Sequence, residues 1–221
     1  MGVFFFGMGY SSKATARAIH EIVDRDMPVY GTTRSRKKAE DLIRSGIKAH
    51  AFDGRAPGLM LAGDLLKSTH VVSSIPPTEQ GDPVLMHHKK ELDAAEQLEW
   101  LCYFSTVGVY GNADGAWIDE KAECHPANER SALRVKTEQQ WRDYARASKL
   151  PLAILRIAGI YGPGRSTFDK LREGTARRVI KPGQVFNRIH VDDIGRVTAL
   201  AAATLPSFAN ASWFRSTSPR T

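Results

Sequence analysis

The stretch "VFFFGMGYSS", residues 3–12, decides the fold of this 221-residue chain. A continuously apolar run leads into a glycine-rich turn, and the helical spacing of Ala16, Ile19 and Val23 follows it. A buried strand that enters a helix through such a turn brings a phosphate against free amide hydrogens at the helix N-terminus. An ordinary glycine turn is the alternative interpretation.

The rest of the chain repeats this alternation of short apolar runs and segments with helical spacing. The runs are residues 3–6, 28–33, 47–52, 70–75, 100–105 and 152–157. Continuously apolar strands that alternate with helices indicate a parallel sheet covered on both faces. We therefore predict an α/β fold with a doubly wound parallel sheet.

Three regions follow from this pattern. Residues 1–160 form the predicted dinucleotide-binding Rossmann domain. Residues 161–205 form a partial substrate lobe interleaved with the sheet, and residues 206–221 form a tail with turn composition.

Composition narrows the class of protein. No apolar run approaches the ~20 residues that cross a bilayer, and no basic residue precedes Val3, as a secretory signal would require. Cys102 and Cys124 form no CxxC pair, and the histidines show no metal-ligand spacing. We expect a cytoplasmic protein without a membrane partner or a metal.

The net charge of +7 raises the question of an anionic partner. One local basic excess runs from Arg165 to Lys181, and aromatic residues are not interleaved with it as in a stacking platform for single strands. This favours a solvated face or a contact with a small anion over nucleic acid.

The turn after the first strand meets the needs of a dinucleotide loop. Gly7 supplies the tight turn, Gly9 allows close approach of a pyrophosphate, and Ser12 stands where the pattern requires a small residue. The predicted cofactor contacts in this loop are Gly7, Met8, Gly9, Tyr10, Ser11 and Ser12.

The residues at the end of the second strand indicate which dinucleotide cofactor binds. An NAD site places an acidic residue there, to bind the ribose 2′-hydroxyl. This chain instead has Thr33, Arg34 and Ser35, with no acid before Glu40. Hydroxyl and guanidinium groups suit a 2′-phosphate, so we predict NADP, with NAD the less favoured cofactor. A solvated first helical turn is the alternative.

Two further loops follow predicted strands at the edge where such folds bind ligands. Asp53 and Gly54 follow the third strand and are predicted to meet the adenine. Ser74, Ile75 and Pro76 follow the fourth strand and are predicted to line the other side of the cofactor.

Four motifs in this order resemble the extended and atypical short-chain dehydrogenase/reductase superfamily, of the NAD-dependent epimerase/dehydratase type. They are "GMGYSS" (7–12), "STVGVYG" (105–111), "LRIAGIYGPGR" (155–165) and "RIHVDDIGR" (188–196). The resemblance implies a doubly wound parallel Rossmann sheet of order 3-2-1-4-5-6 with a reduced C-terminal substrate lobe. It also implies NADP binding, a small-molecule substrate and a homodimer. It also implies that Ile157 and Ile160, in "IAGIYG", shelter the nicotinamide.

Active members of this superfamily place a Ser or Thr after strand five to bind the substrate oxygen. Thr106 matches that position, with Ser105 beside it. A Tyr then exchanges a proton, and a Lys four residues later supports the Tyr. With Glu138 as the reference, the Tyr and Lys positions hold Arg130 and Arg134, and a frame set on Lys136 likewise gives no Tyr.

An arginine cannot be deprotonated in a protein, so it cannot relay a proton. The resemblance therefore assigns Arg130 and Arg134 only positive charge, which suits a ribose hydroxyl or an oxyanion. Tyr110 and Tyr161 are the phenols that would have to substitute. The leading interpretation is an NADP-dependent oxidoreductase or nucleotide-sugar-epimerase-like enzyme. The alternatives are a non-catalytic NADP-binding sensor or regulatory protein, and a damaged version of an enzyme.

Overall fold

The computed structural model describes residues 1–177, 180 and 185–204. The strands of the main sheet are β1 (Val3–Phe6), β2 (Val29–Thr33), β3 (Lys48–Ala51), β4 (His70–Ser73), β5 (Trp100–Thr106) and β6 (Leu152–Ile157). All pair in parallel, in the order β3-β2-β1-β4-β5-β6. This confirms the predicted fold class and strand order.

Helices connect and cover these strands. They are α1 (Tyr10–Ile22), α2 (Arg36–Arg44), α3 (Ala62–Leu65), α4 (Pro83–Asp93), α5 (Glu129–Ser148), α6 (Thr167–Arg172) and α7 (Val191–Ala203), with a 3₁₀ turn at Val107–Tyr110. Two short strands, β7 (Gly159–Tyr161) and β8 (Arg188–His190), form a separate parallel pair. Within the described part of the chain, no helix has both the length and the apolar character needed to cross a bilayer.

The first strand is apolar throughout because both of its faces are buried. Val3 and Phe5 belong to a hydrophobic core on one side of the sheet, which also contains residues of α1 and α7. Phe4 and Phe6 belong to a second core on the other side, with residues of α4 and α5. All four side chains are fully buried, and each phenylalanine contributes about 1.5–3 kcal/mol by leaving water.

Helix α7 packs closely on α1. A Cβ on Gly195 would lie 2.7 Å from the carbonyl oxygen of Ala14, so the absence of a side chain permits this approach. Ile194 and Ala199 are buried in the same core as Phe5. The predicted lobe at 161–205 therefore includes a helix that covers the main sheet. The predicted tail at 206–221 lies outside the described residues.

Candidate functional site

The glycine-rich loop leaves β1 in a conformation that glycine adopts readily. Gly7 has a φ of +94°, and a Cβ there would lie 2.7 Å from the hydroxyl oxygen of Ser74. The Gly7 amide donates to the Thr32 hydroxyl at 2.9 Å, and the Met8 amide donates to the Thr32 carbonyl at 2.7 Å. The loop is thus fixed to the neighbouring strand β2.

Two serine hydroxyls hold the same loop. Ser12, only 1% exposed, donates to the Gly7 carbonyl at 2.7 Å. Ser74 donates to that carbonyl, also at 2.7 Å, and the two hydroxyl oxygens lie 3.1 Å apart. The structure therefore uses the Ser12 and Ser74 hydroxyls to support the loop, and it brings the predicted contacts from β1 and β4 together.

Space remains open beside Gly9. A Cβ on this residue would meet no atom of the described part of the chain within 4 Å, and Gly9 caps α1 without a side-chain hydrogen bond. The amides of Tyr10 and Ser11, in the first turn of α1, have no acceptor inside the helix. The first turn also contains no acidic residue. The helix N-terminus therefore presents amide donors and a positive dipole end to an anion.

The end of β2 is basic and exposed, as its sequence predicts. Thr33 is half-buried, whereas Arg34 and Ser35 are exposed. Ser35 is the N-cap of α2, and its hydroxyl accepts from the Lys38 amide at 3.4 Å. The first turn of α2 contains no acidic residue. Arg34 is thus an exposed basic side chain directly after this strand.

The other predicted cofactor loops also lie at the C-terminal ends of strands. Asp53 forms a local turn by accepting from the Arg55 amide at 3.0 Å. Gly54 has a φ of +84°, and a Cβ there would lie 3.1 Å from Pro83. Beside β4, Ile75 is half-buried and Pro76 is exposed.

The two residues predicted to shelter the nicotinamide differ in their burial. Ile157 is only 7% exposed and belongs to the hydrophobic core. Ile160, on β7, is half-buried and packs against the same core. Of these two residues, Ile160 is therefore the one with surface left for a ligand.

Thr106 ends β5 with its side chain half-buried. Its hydroxyl oxygen caps the following 3₁₀ turn by accepting from the Gly108 amide at 3.1 Å. This contact uses an oxygen lone pair and leaves the hydroxyl proton free to donate. Thr106 is therefore held in a fixed orientation with one donor available.

Ser105, which we predict to assist at the substrate oxygen, has a partner on α5. Ser105 is 6% exposed, and its hydroxyl donates to the Glu138 carboxylate at 2.6 Å. Successive strand residues point to opposite faces of a sheet. Ser105 therefore points to α5, where it supports a buried carboxylate.

The two arginines predicted at the site, Arg130 and Arg134, have different environments. Arg130 lies exposed in the first turn of α5. Arg134 is half-buried and donates from Nη1 to the Tyr103 hydroxyl at 2.7 Å and to the Phe104 carbonyl at 2.8 Å. Burial raises the pKa of Tyr103 well above its ordinary value, so this phenol stays protonated. Arg134 thus ties α5 to β5 and has little freedom to follow a ligand.

Sequence reasoning missed a buried ion pair behind Thr106. The Glu138 carboxylate is 0% exposed and accepts from Nη2 of Arg156 at 2.8 Å and from its Nε at 3.2 Å. Arg156 also donates to the Tyr110 hydroxyl at 2.7 Å. Tyr110 is therefore engaged inward, toward the ion pair. An arginine inside the apolar run "LAILRI" was the available signal.

The remaining candidate phenol has a different environment. Tyr161 is 45% exposed, and its ring packs edge-on against His190 at 5.1 Å between centroids.

In the described residues, no group of three or more His, Cys, Asp or Glu side chains is arranged to hold a metal ion.

The fold and the site together, a parallel Rossmann sheet with a glycine loop after β1 and a hydroxyl at the end of β5, are those of the short-chain dehydrogenase class. The model of the NAD dependent epimerase/dehydratase family matches residues 85–207. The chain belongs to this family. No protein of curated function matches the chain.

Several solved structures are similar to it. A functionally unknown conserved protein from Silicibacter pomeroyi DSS is 40% identical over 92% of this chain and 69% of its own, with a TM-score of 0.78. UDP-glucuronic acid 4-epimerase from Bacillus cereus, in complex with UDP-glucuronic acid and NAD, is 19% identical over 94% of this chain and 75% of its own, with a TM-score of 0.72.

UDP-glucose 4-epimerase from Thermus thermophilus, in complex with NAD, is 18% identical over 93% of this chain and 75% of its own, with a TM-score of 0.70. At these low identities, the two epimerases share the fold with this chain.

Proposed function

We propose that this protein binds NADP at the Gly7–Ser12 loop and acts as an NADP-dependent oxidoreductase or epimerase-like enzyme on a small-molecule substrate. One observation carries the proposal: the open space beside Gly9, at a helix N-terminus without acidic residues. The family match supports a nicotinamide dinucleotide as its occupant. When bound, the nicotinamide ring of NADP would accept or donate the hydride.

The preference for NADP rests on the end of β2. Thr33 and Arg34 stand where an NAD site would place a carboxylate, and the α2 first turn is free of acids. The B. cereus and T. thermophilus epimerases are described with NAD. The 2′-phosphate preference is therefore a feature proposed for this chain from its own residues.

Arg34→Gln tests this preference. We expect NADPH to bind about 10-fold more weakly, the equivalent of one hydrogen bond to a charged group, while NADH binding stays unchanged. Titration calorimetry with both nucleotides measures the effect. Arg25→Gln is the matched control. It removes an exposed arginine that precedes β2 and so lies at the opposite end of that strand from Arg34. An equal loss for NADPH and NADH would contradict the assignment.

Thr106 is the proposed substrate-orienting residue. Its hydroxyl proton is free, and its oxygen is fixed by the Gly108 amide, so it can donate to a carbonyl or alkoxide oxygen. Ser105 and Arg134 have structural partners, which leaves the exposed Arg130 as a source of positive charge.

Neither Arg130 nor Arg134 can relay the transferred proton. The Tyr110 hydroxyl is engaged by Arg156, which leaves the partly exposed Tyr161 or the solvent as the source of that proton.

NADPH oxidation against a panel of small carbonyl compounds tests the activity. We expect Thr106→Ala to lower turnover by about 100-fold, as for the loss of one oxyanion donor, with NADPH affinity unchanged. Thr106→Ser keeps the hydroxyl and is expected to retain most of the activity. Equal turnover by Thr106→Ala and the parent protein would remove Thr106 from the mechanism.

A non-catalytic NADP sensor or regulatory protein is the second candidate. The observation that favours it is the pair of arginines at the usual Tyr and Lys positions, of which Arg134 is bound to Tyr103 and Phe104. Tight NADPH binding without turnover on any compound of the panel would select this candidate.

A further inference from the structure

The connection between β7 and α6 lies against the first residue of α1. The Tyr10 hydroxyl donates to the Pro163 carbonyl at 2.9 Å, across 153 positions in sequence. A Cβ on Gly162 would lie 2.6 Å from that hydroxyl, and Gly162 has a φ of +152°, so glycine is required here. The Arg165 amide donates to the Gly162 carbonyl at 2.9 Å and closes the turn.

This turn places Arg165 on the Tyr10 ring. Its guanidinium carbon lies 5.8 Å from the ring centroid, within the range of a cation–π contact. The Arg165 side chain is exposed. Across the described residues, no carboxylate oxygen lies within the 4.0 Å of an ion pair with it.

The nearest acidic residue in sequence has another role. Asp169 accepts from the amide of Ser166 at 2.9 Å and from its hydroxyl at 2.7 Å, which together cap α6. Among the described residues, Arg165 is therefore a guanidinium without a counter-charge, and it is held by Tyr10, whose own amide belongs to the open N-terminus of α1. Arginine binds phosphate oxygens with two parallel hydrogen bonds.

We infer that Arg165 binds the diphosphate of the dinucleotide, in addition to the α1 amides, with Tyr10 positioning its side chain. The inference rests on the proposed function. It assigns a task to the start of the basic stretch 165–181, and it makes the β7–α6 connection part of the cofactor site. A phosphate group on the substrate has the same chemistry and is the other source that the experiment must separate.

Arg165→Gln, titrated with a set of nucleotides, tests this assignment. We expect about 10-fold weaker binding of NADPH, NADH and ADP-ribose, which share the diphosphate, from the loss of one charge-assisted contact. Binding of adenosine 2′-monophosphate, which lacks the diphosphate, stays unchanged. The melting temperature changes little, because the side chain is exposed and its contact with the Tyr10 ring is a weak surface contact. Lys170→Gln removes a neighbouring charge and leaves all four affinities as they were.

A second variant tests the positioning role of Tyr10. Tyr10→Phe keeps the ring under Arg165 and removes the hydrogen bond to Pro163, so we expect a smaller loss than in Arg165→Gln, for the same three nucleotides. Arg165→Gln with unchanged affinity for all three would overturn the inference and assign the residue to substrate or solvent. Failure of the parent protein to bind any of the nucleotides would instead overturn the proposed function.

Discussion

Glu138→Ala lowers the free energy of unfolding by about 3–5 kcal/mol, because it leaves the Arg156 guanidinium buried without its carboxylate. The Arg156 side chain is 8% exposed and that of Glu138 is 1% exposed. The same substitution removes the acceptor of the Ser105 hydroxyl. Urea unfolding followed by circular dichroism measures the change, and we expect it as a shift of the transition midpoint.

The control for this result lies on the same helix. Asp143 forms an exposed ion pair with Arg146 at 3.2 Å, with side chains 56% and 76% exposed. Asp143→Ala should cost no more than about 0.5 kcal/mol, since exposed pairs contribute little. Similar losses in both variants would mean that α5 itself, and not the buried pair, determines the effect.

The ion pair also has a consequence at the site. Arg156 joins Glu138 on α5 to Tyr110 in the 3₁₀ turn that follows Thr106. The turn that follows Thr106, the residue that we assign to the substrate oxygen, is thus held by the buried ion pair. A buried pair is weak evidence for stability as such. The desolvation of this pair opposes folding, and a requirement that the 3₁₀ turn keep one conformation would explain why the pair is present.

The sheet was predictable because its signals are local and redundant. The strands buried on both faces are largely apolar, with exceptions such as Arg156 in β6, and β1 shows the pattern most clearly with Val3 to Phe6. The two short strands β7 and β8 have three residues each, which is too few for a periodicity to be detected. The strand order followed from the alternation with helices and from the family resemblance.

The directions of the site side chains were less predictable. Ser105 and Thr106 are adjacent, and sequence alone does not tell which of them faces α5. Arg130, Arg134 and Glu138 share one helix face at four-residue intervals, yet the first is exposed, the second half-buried and the third fully buried. Their depth depends on where α5 crosses the sheet, and this is a tertiary property.

Gly9→Asp separates the stability of the protein from its binding of the cofactor. Gly9 has φ of −92° and ψ of −162° at the N-cap of α1, a conformation open to any residue. A Cβ there would meet no atom of residues 1–177, 180 and 185–204 within 4 Å. Aspartate is a preferred N-cap and its charge suits the helix dipole, so we expect a gain of about 0.5–1 kcal/mol in the free energy of unfolding.

The same carboxylate would occupy the space proposed for the diphosphate. Like charges brought together cost several kcal/mol, so binding of both NADPH and NADH should weaken by at least about 100-fold. Gly63→Asp, on an exposed and unhindered glycine of α3, carries the same charge change and should leave binding as it was. Thermal unfolding and fluorescence titration of the two variants measure both effects. A more stable Gly9→Asp protein that still binds NADPH normally would show that the anion site at the start of α1 is not where the cofactor lies.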